Sequence, residues 1–284
     1  MPPLPPPEMI WDVLLHAVLP ALAVAAIVFA LANRLFAPKY ADLAGALGLI
    51  AGVALGVWLR GVATLNSSDS PWNRLPLAAL AALWIGRAAR FSELHPIEGW
   101  LLRGATASGI AWWVVPDHAC ADISWLKPAF AIMILAEWAI LECSAQEPPG
   151  GTIPFALALT FFIAGGVLIH ASMAGLTDVS VVLASALVGI AIVAAWRQLD
   201  ASGIAPALAV LLPGLLLMGQ RETFSEVPWQ AFVLAAGAPL MLIFAFPMRR
   251  WDSVGLRVVQ LTLVAFPLVA AMALAMQAGP LEFE

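Results

Sequence analysis

Apolar residues occupy the sequence in long continuous runs, separated by short stretches rich in proline, glycine or charge. A helix that crosses a bilayer needs about 20 mostly apolar residues, and each run is close to that length. The runs are apolar around the whole helix, which indicates lipid or a buried core as the surroundings. The pattern predicts an all-α, polytopic integral membrane helix bundle with about ten transmembrane helices. We expect them at residues 12–37, 41–64, 75–91, 97–116, 125–144, 153–174, 178–198, 203–220, 228–247 and 254–277.

Composition supports this assignment and excludes several classes of protein. Of the 284 residues, 62% are hydrophobic and 11% are charged, and the mean hydropathy is +0.94. Soluble domains are about 45–50% apolar and about 25% charged, so we expect no separate soluble domain. The net charge of −5 offers no basic surface for nucleic acid. No nucleotide, metal or cofactor motif occurs, so we expect neither a cofactor nor a metal. The apolar composition makes the lipid bilayer the expected main partner.

The chain is organised as a single transmembrane domain, 1–284, with an acidic Pro/Gly hinge at 145–152. A Pro-rich tail, 1–11, precedes the first helix group at 12–144, and the second group at 153–277 is followed by a short tail, 278–284. Five helices on each side would invert the second group relative to the first, as in the inverted repeats of many secondary transporters. In layout the chain resembles the ten-helix drug/metabolite exporters. This likeness implies a fold plan and no site residues.

Prolines interrupt the predicted helices mainly in the second group. Each one removes a backbone donor and crowds the preceding turn, so we expect kinked or locally unwound helices at these positions. In transporters built from repeats, broken helices line the substrate site near the bilayer midplane. The predicted helix breaks are Pro213, Gly214, Pro239 and Pro267.

Lysine and arginine predict the orientation, because they are enriched in cytoplasmic loops. With the N-terminus outside, nine of them fall on the cytoplasmic side and four on the other. The nine are Arg34, Lys39, Arg87, Arg90, Arg103, Arg197, Arg249, Arg250 and Arg257. The four are Arg60, Arg74, Lys127 and Arg221. We therefore expect a cell (plasma) membrane protein with both termini outside.

Glu137 is the acid that the sequence places inside a predicted span, roughly three turns from the nearest charge on its N-terminal side. Ionisable groups at membrane depth are costly and usually face a partner or a water-filled cavity. Arg87 and Arg103 are the natural partners, either for Glu137 or for an anionic substrate. These three residues form the predicted substrate or ion pathway. The alternatives are a neutral glutamic acid hydrogen-bonded to a neighbouring helix, a shorter helix that places Glu137 at the head groups, and arginines that only anchor the topology.

Three further patterns have structural explanations. Gly48, Gly52 and Gly56 lie on one helix face, which predicts close packing with another helix. Ser108 and His170 could form a dyad only if their helices met, so we expect a packing serine and an interfacial histidine. The acid-, His- and Cys-containing loop at 117–122 has no second ligand cluster, so we expect a solvated loop.

The sequence therefore favours a small-molecule secondary transporter with an intramembrane carboxylate. The alternative is a non-catalytic membrane subunit or scaffold, whose glycine faces and tryptophans would be docking surfaces for a membrane protein partner. A third hypothesis, an intramembrane hydrolase, lacks converging titratable groups, and we do not expect an enzyme. Few polar residues occur in the spans, which favours an apolar cargo or a structural role.

Overall fold

The computed structural model describes residues 11–36, 41–60, 74–91, 96–117, 124–145, 150–223, 225–248 and 253–278. Every regular element within these ranges is a helix, so the prediction of an all-α bundle is confirmed. Residues 1–10 of the Pro-rich tail, 146–149 of the hinge, 279–284 of the C-terminal tail and 118–122 of the loop at 117–122 lie outside the described residues. So do the last residues of the second predicted helix, which is described to Arg60.

Ten helical segments follow the predicted pattern closely. We number them α1 (Trp11–Leu35), α2 (Ala41–Arg60), α3 (Leu75–Phe91), α4 (Pro96–Val114), α5 (Leu126–Ala145), α6 (Thr152–His170), α7 (Ala174–Arg197), α8 (Ala205–Glu222), α9 (Trp229–Met248) and α10 (Ser253–Gln277). A π-helical turn, Leu14–Val18, lies within α1, and a 3-10 turn, Ser202–Ile204, leads into α8.

The prolines of the second group affect the backbone unequally. Helix α8 continues through Pro213, and α10 continues through Pro267. In α9 the α-helical part ends at Ala236, and an 11-residue 3-10 helix, Ala238–Met248, begins directly before Pro239. A proline removes one hydrogen bond but leaves the helix intact where packing holds its neighbours. Gly214, the next residue after Pro213, is packed in this way against Leu75 of α3.

Seven of the ten helices are long and apolar enough to cross a membrane, namely α1, α2, α6, α7, α8, α9 and α10. The other three fall short in length or in apolar character: α3 has 17 residues, α4 contains Glu98 and Arg103, and α5 contains Lys127, Glu137 and Glu142. The chain is therefore a membrane-embedded helical protein, and the count of ten spans stays a prediction.

Helices α1 and α2 of the first group pack closely on each other and on α7 of the second, and α7 packs on α6. The glycine face of α2 lies against α1 and α7. A Cβ atom added to Gly52 would come within 2.6 Å of the Ala21 carbonyl oxygen, and one added to Gly56 within 2.6 Å of Val182. At Gly48 the nearest atom would be the Ala25 carbonyl oxygen, at 2.9 Å. The three glycines therefore let the helix backbones approach, as their spacing predicts.

Several contacts join the two helix groups. Helix α3 packs on α8, α2 packs on α7, and α5 packs on both α8 and the second part of α9. Some pairs recur at equivalent places in the two groups, such as α1 with α2 and α6 with α7. Others do not, since α6 packs on α10 whereas α1 and α5 share no comparable contact over the described residues.

Candidate functional site

Glu142, close to the end of α5, is the centre of a buried ionic network. Its carboxylate accepts hydrogen bonds from Arg90 Nε at 2.9 Å and from Arg103 Nη2 at 3.0 Å. Arg90 comes from the end of α3 and Arg103 from the second turn of α4. The network therefore fastens three consecutive helices together. We call the side of the protein where it lies the Glu142 end.

The network continues into the connection between α7 and α8. Arg90 Nη1 donates to the Ser202 hydroxyl at 2.7 Å, and that hydroxyl donates to Asp200 Oδ2 at 2.9 Å. The other Asp200 oxygen, Oδ1, accepts from the Ser202 backbone N–H at 2.7 Å, which fixes the turn locally. Charged hydrogen bonds of this kind are stronger than neutral ones. They attach the α7–α8 turn to α3.

Glu137 lies five residues before Glu142 and has a different environment. Its side chain is fully buried, and neither carboxyl oxygen has a hydrogen-bond partner within the described part of the chain. Trp138, the next residue, is also fully buried, and its ring lies beside Gly86 of α3, as does Pro206 of α8. Glu137 is thus sealed by packing in this conformation.

The structure does not bring the predicted pathway residues together around Glu137. Arg103 pairs with Glu142 and lies over the Trp100 ring, 4.9 Å from its centroid. Arg87 lines a small cavity together with Arg90, Glu142 and other residues of the network. Arg87 and Arg103 therefore belong to the Glu142 end, and Glu137 lies apart from the network.

Sequence reasoning missed four members of this network: Arg90, Glu142, Asp200 and Ser202. A signal for them exists, because the C-terminal ends of every second helix share one side of the membrane if consecutive helices alternate in direction. Arg90 ends α3, Glu142 is near the end of α5, and Asp200 follows α7. The sequence places both acids at a helix end or in a loop and by itself indicates no role for them there.

A larger cavity of about 280 Å³ lies between helices of the two groups, and we call it the apolar cavity. Helices α2 and α3 from the first group and α7 and α8 from the second line it, and every lining side chain is apolar. Representative lining residues are Leu49, Val53, Leu83, Val179 and Leu211.

The apolar cavity ends near the network. Leu83 lines both the apolar cavity and the small cavity that contains Arg87, Arg90, Glu142 and Ser202, which we call the polar cavity. Beside it, Gly45 of α2 lies against the α7–α8 turn, where an added Cβ would be 3.3 Å from Ile204. Apolar walls that lead to a cluster of charged groups are suited to a molecule with an apolar body and a polar head.

The other candidate catalytic and metal-binding residues do not form a site among the described residues. Ser108 is exposed on α4, and among the described residues α4 and α6, the helix that ends at His170, make no substantial contact. The residues that the structure describes contain no group of three or more metal-capable side chains.

These features define a multi-pass α-helical membrane protein with a buried ionic network at one end and an apolar cavity between its helices. No model of a known protein family matches the chain, and no curated protein sequence matches it significantly.

Proposed function

We propose that the protein is a carrier for an apolar or amphipathic small molecule, which binds in the apolar cavity. The observation that carries this proposal is the position of the cavity, between α2 and α3 of one helix group and α7 and α8 of the other. Carriers built from two helix groups bind substrate near the middle of the membrane where the groups meet. Small-molecule sites have mostly apolar walls and a few polar groups, and the apolar cavity together with the adjoining polar cavity supplies both.

The network at the Glu142 end serves as the closed gate in this proposal. Two contacts close the passage there, the Arg90–Ser202 hydrogen bond and the packing of Gly45 on the α7–α8 turn. For a substrate to leave on this side, the turn must separate from α3 or from α2. Charged contacts that form in one arrangement and break in the other give the two discrete states that alternating access needs.

Glu137 has a separate role in the proposal. It lies on α5, the same helix as Glu142, so a movement of α5 that opens the network also changes the packing around Glu137. A carboxyl group that gains access to water in one state and loses it in the other can take up and release a proton or cation. Glu137→Gln should then leave substrate binding intact and abolish coupling to an ion gradient.

The test uses purified protein in liposomes and a single-chain fluorescent amphiphile as the transported probe. Val179→Trp fills the apolar cavity from α7, whereas Ile192→Trp places the same side chain on the exposed surface of that helix, where Ile192 is 55% exposed. We expect wild-type protein and Ile192→Trp to move the probe faster than empty liposomes, and Val179→Trp to lose most of this activity. Equal rates in the two variants, or no movement that depends on protein, would refute the proposal.

One observation favours the second candidate, a non-transporting membrane subunit. Gly104 and Gly109 on α4 have no neighbouring atom within 4 Å of an added Cβ, and Leu101 and Trp112 on the same helix are 68% and 73% exposed. An exposed helix face that contains glycines allows a helix of a partner protein to pack closely against it. Cysteine cross-linking from Gly104→Cys in native membranes tests this. A specific cross-linked partner combined with inactive liposomes would favour the subunit.

A further inference from the structure

A second large cavity lies away from the candidate site, at the end of the bundle opposite Glu142. It is a groove of about 490 Å³ between α5, α8 and α9. Its floor is formed by Phe130, Met133, Leu216, Leu217, Phe232 and Val233. Trp125 and Trp229 border it near the helix ends and are 64% and 58% exposed. Tryptophans in such positions lie at the level of lipid head groups, which places this part of the groove at the membrane surface.

Arg221, in the last turn of α8, lines the same end of the groove. Its Nε and Nη2 atoms are buried, and neither has a hydrogen-bond partner in the part of the chain that the structure describes. These two nitrogens form one edge of the guanidinium, the edge that binds two oxygens of a phosphate or carboxylate in bidentate fashion. A buried donor edge without an acceptor is unfavourable. An oxyanion that reaches Arg221 would relieve this cost once the side chain turns toward the groove.

The dimensions of the groove fit an acyl chain. Along α8 it extends from Arg221 to Pro213, and eight residues of α-helix correspond to about 12 Å. One leaflet of the hydrocarbon core is about 15 Å thick. The groove therefore accommodates most of a single chain that starts at the head-group level and runs toward the bilayer midplane.

We infer that this groove binds an anionic phospholipid, with the phosphate on Arg221 and one acyl chain on the apolar floor. Charge complementarity selects this occupant. A zwitterionic lipid would bring a second positive charge to a site that already has one, whereas an anionic lipid neutralises the arginine. The inference is independent of the transport proposal, because none of the residues that line the groove lines the apolar cavity.

Native mass spectrometry of the purified full chain tests the inference, with phosphatidylglycerol and phosphatidylcholine titrated separately. We expect one phosphatidylglycerol to be retained about tenfold more tightly than phosphatidylcholine, the difference that one charged contact readily supplies. Arg221→Gln should reduce phosphatidylglycerol binding to the level of phosphatidylcholine. Arg197→Gln, which removes an exposed arginine that lies over Trp196, should leave both affinities unchanged.

A second variant addresses the acyl chain. Val233 is 47% exposed on the floor of the groove, so Val233→Trp should weaken the binding of both lipids without changing the preference between them. The inference is overturned if wild-type protein retains the two lipids equally. It is also overturned if Arg221→Gln keeps the wild-type preference for phosphatidylglycerol, or if Val233→Trp retains lipid as wild-type protein does.

Discussion

Two glutamates on α5, five residues apart, differ completely in their surroundings. Glu142 is buried against two arginines and is part of a network that reaches the α7–α8 turn. Glu137 is buried more deeply and has no hydrogen-bond partner among the described residues. Burial alone therefore does not distinguish a structural carboxylate from a functional one. The difference lies in whether the fold supplies donors, since a group without them must be neutral or must gain a partner in another state.

The largest effect is expected from removing the carboxylate that the fold pairs with two arginines. Glu142→Gln would leave Arg90 and Arg103 facing each other without a carboxylate between them. The expected loss of stability is about 3 kcal/mol, because removing one member of a buried ion pair leaves an uncompensated charge. Thermal unfolding in detergent measures it. The control is Glu222→Gln, at an exposed carboxylate, and equal midpoints for the two variants would contradict the structural role of the network.

A smaller effect is expected from disturbing the packing of Trp138, the residue that follows Glu137. A Cβ atom at Gly86 would come within 2.5 Å of Trp138 and 2.7 Å of Pro206, so Gly86→Ala should cost about 2 kcal/mol through overpacking.

The matched control for this variant is Gly104→Ala, where an added Cβ meets nothing within 4 Å. It should be neutral or should stabilise α4, since alanine favours helix by about 1 kcal/mol over glycine. Changes of the same sign and size in the two variants would show that Trp138 is not tightly held.

The smallest expected effect is a gain in stability on replacing Glu137. Glu137→Leu replaces a buried carboxyl without partners by an apolar side chain of similar size, so the stability should rise by about 1 kcal/mol. Glu137→Gln keeps a polar group in the same place and should show no such gain. A lower unfolding midpoint for Glu137→Leu than for Glu137→Gln would indicate that the carboxyl has a partner in the folded protein.

The sequence predicts the helices well because apolar runs end where charge or proline begins. The third helix was expected at 75–91 and is found at Leu75–Phe91, and the tenth was expected at 254–277 and is found at Ser253–Gln277. Packing between groups is harder to predict. The glycine face of α2 indicates that a helix lies close by, but the spacing contains nothing that identifies α1 and α7 as the partners.

The partner of Arg103 shows why the site was harder to predict than the fold. Arg103 is about 10 Å from the start of α4, whereas Glu137 is about 12 Å and Glu142 about 5 Å from the end of α5, so depth alone favours Glu137. Side chains, however, tilt toward the N-terminus of their helix. Helix α4 begins at the Glu142 end and α5 ends there, so Arg103 and Glu142 tilt toward each other and Glu137 tilts away. Direction, rather than depth, decides the pair.

The 3-10 stretch of α9 has a consequence for membrane thickness. A 3-10 helix rises about 2.0 Å per residue and an α-helix about 1.5 Å. The 11 residues of Ala238–Met248 are therefore about 5 Å longer than the same residues would be in α-helical form, a difference of one helical turn. If this stretch rewound, α9 would shorten by that amount without unfolding. Because a mismatch with the bilayer costs a fraction of a kcal/mol per Å, the thickness of the surrounding membrane biases the conformation of the helix that packs against α5.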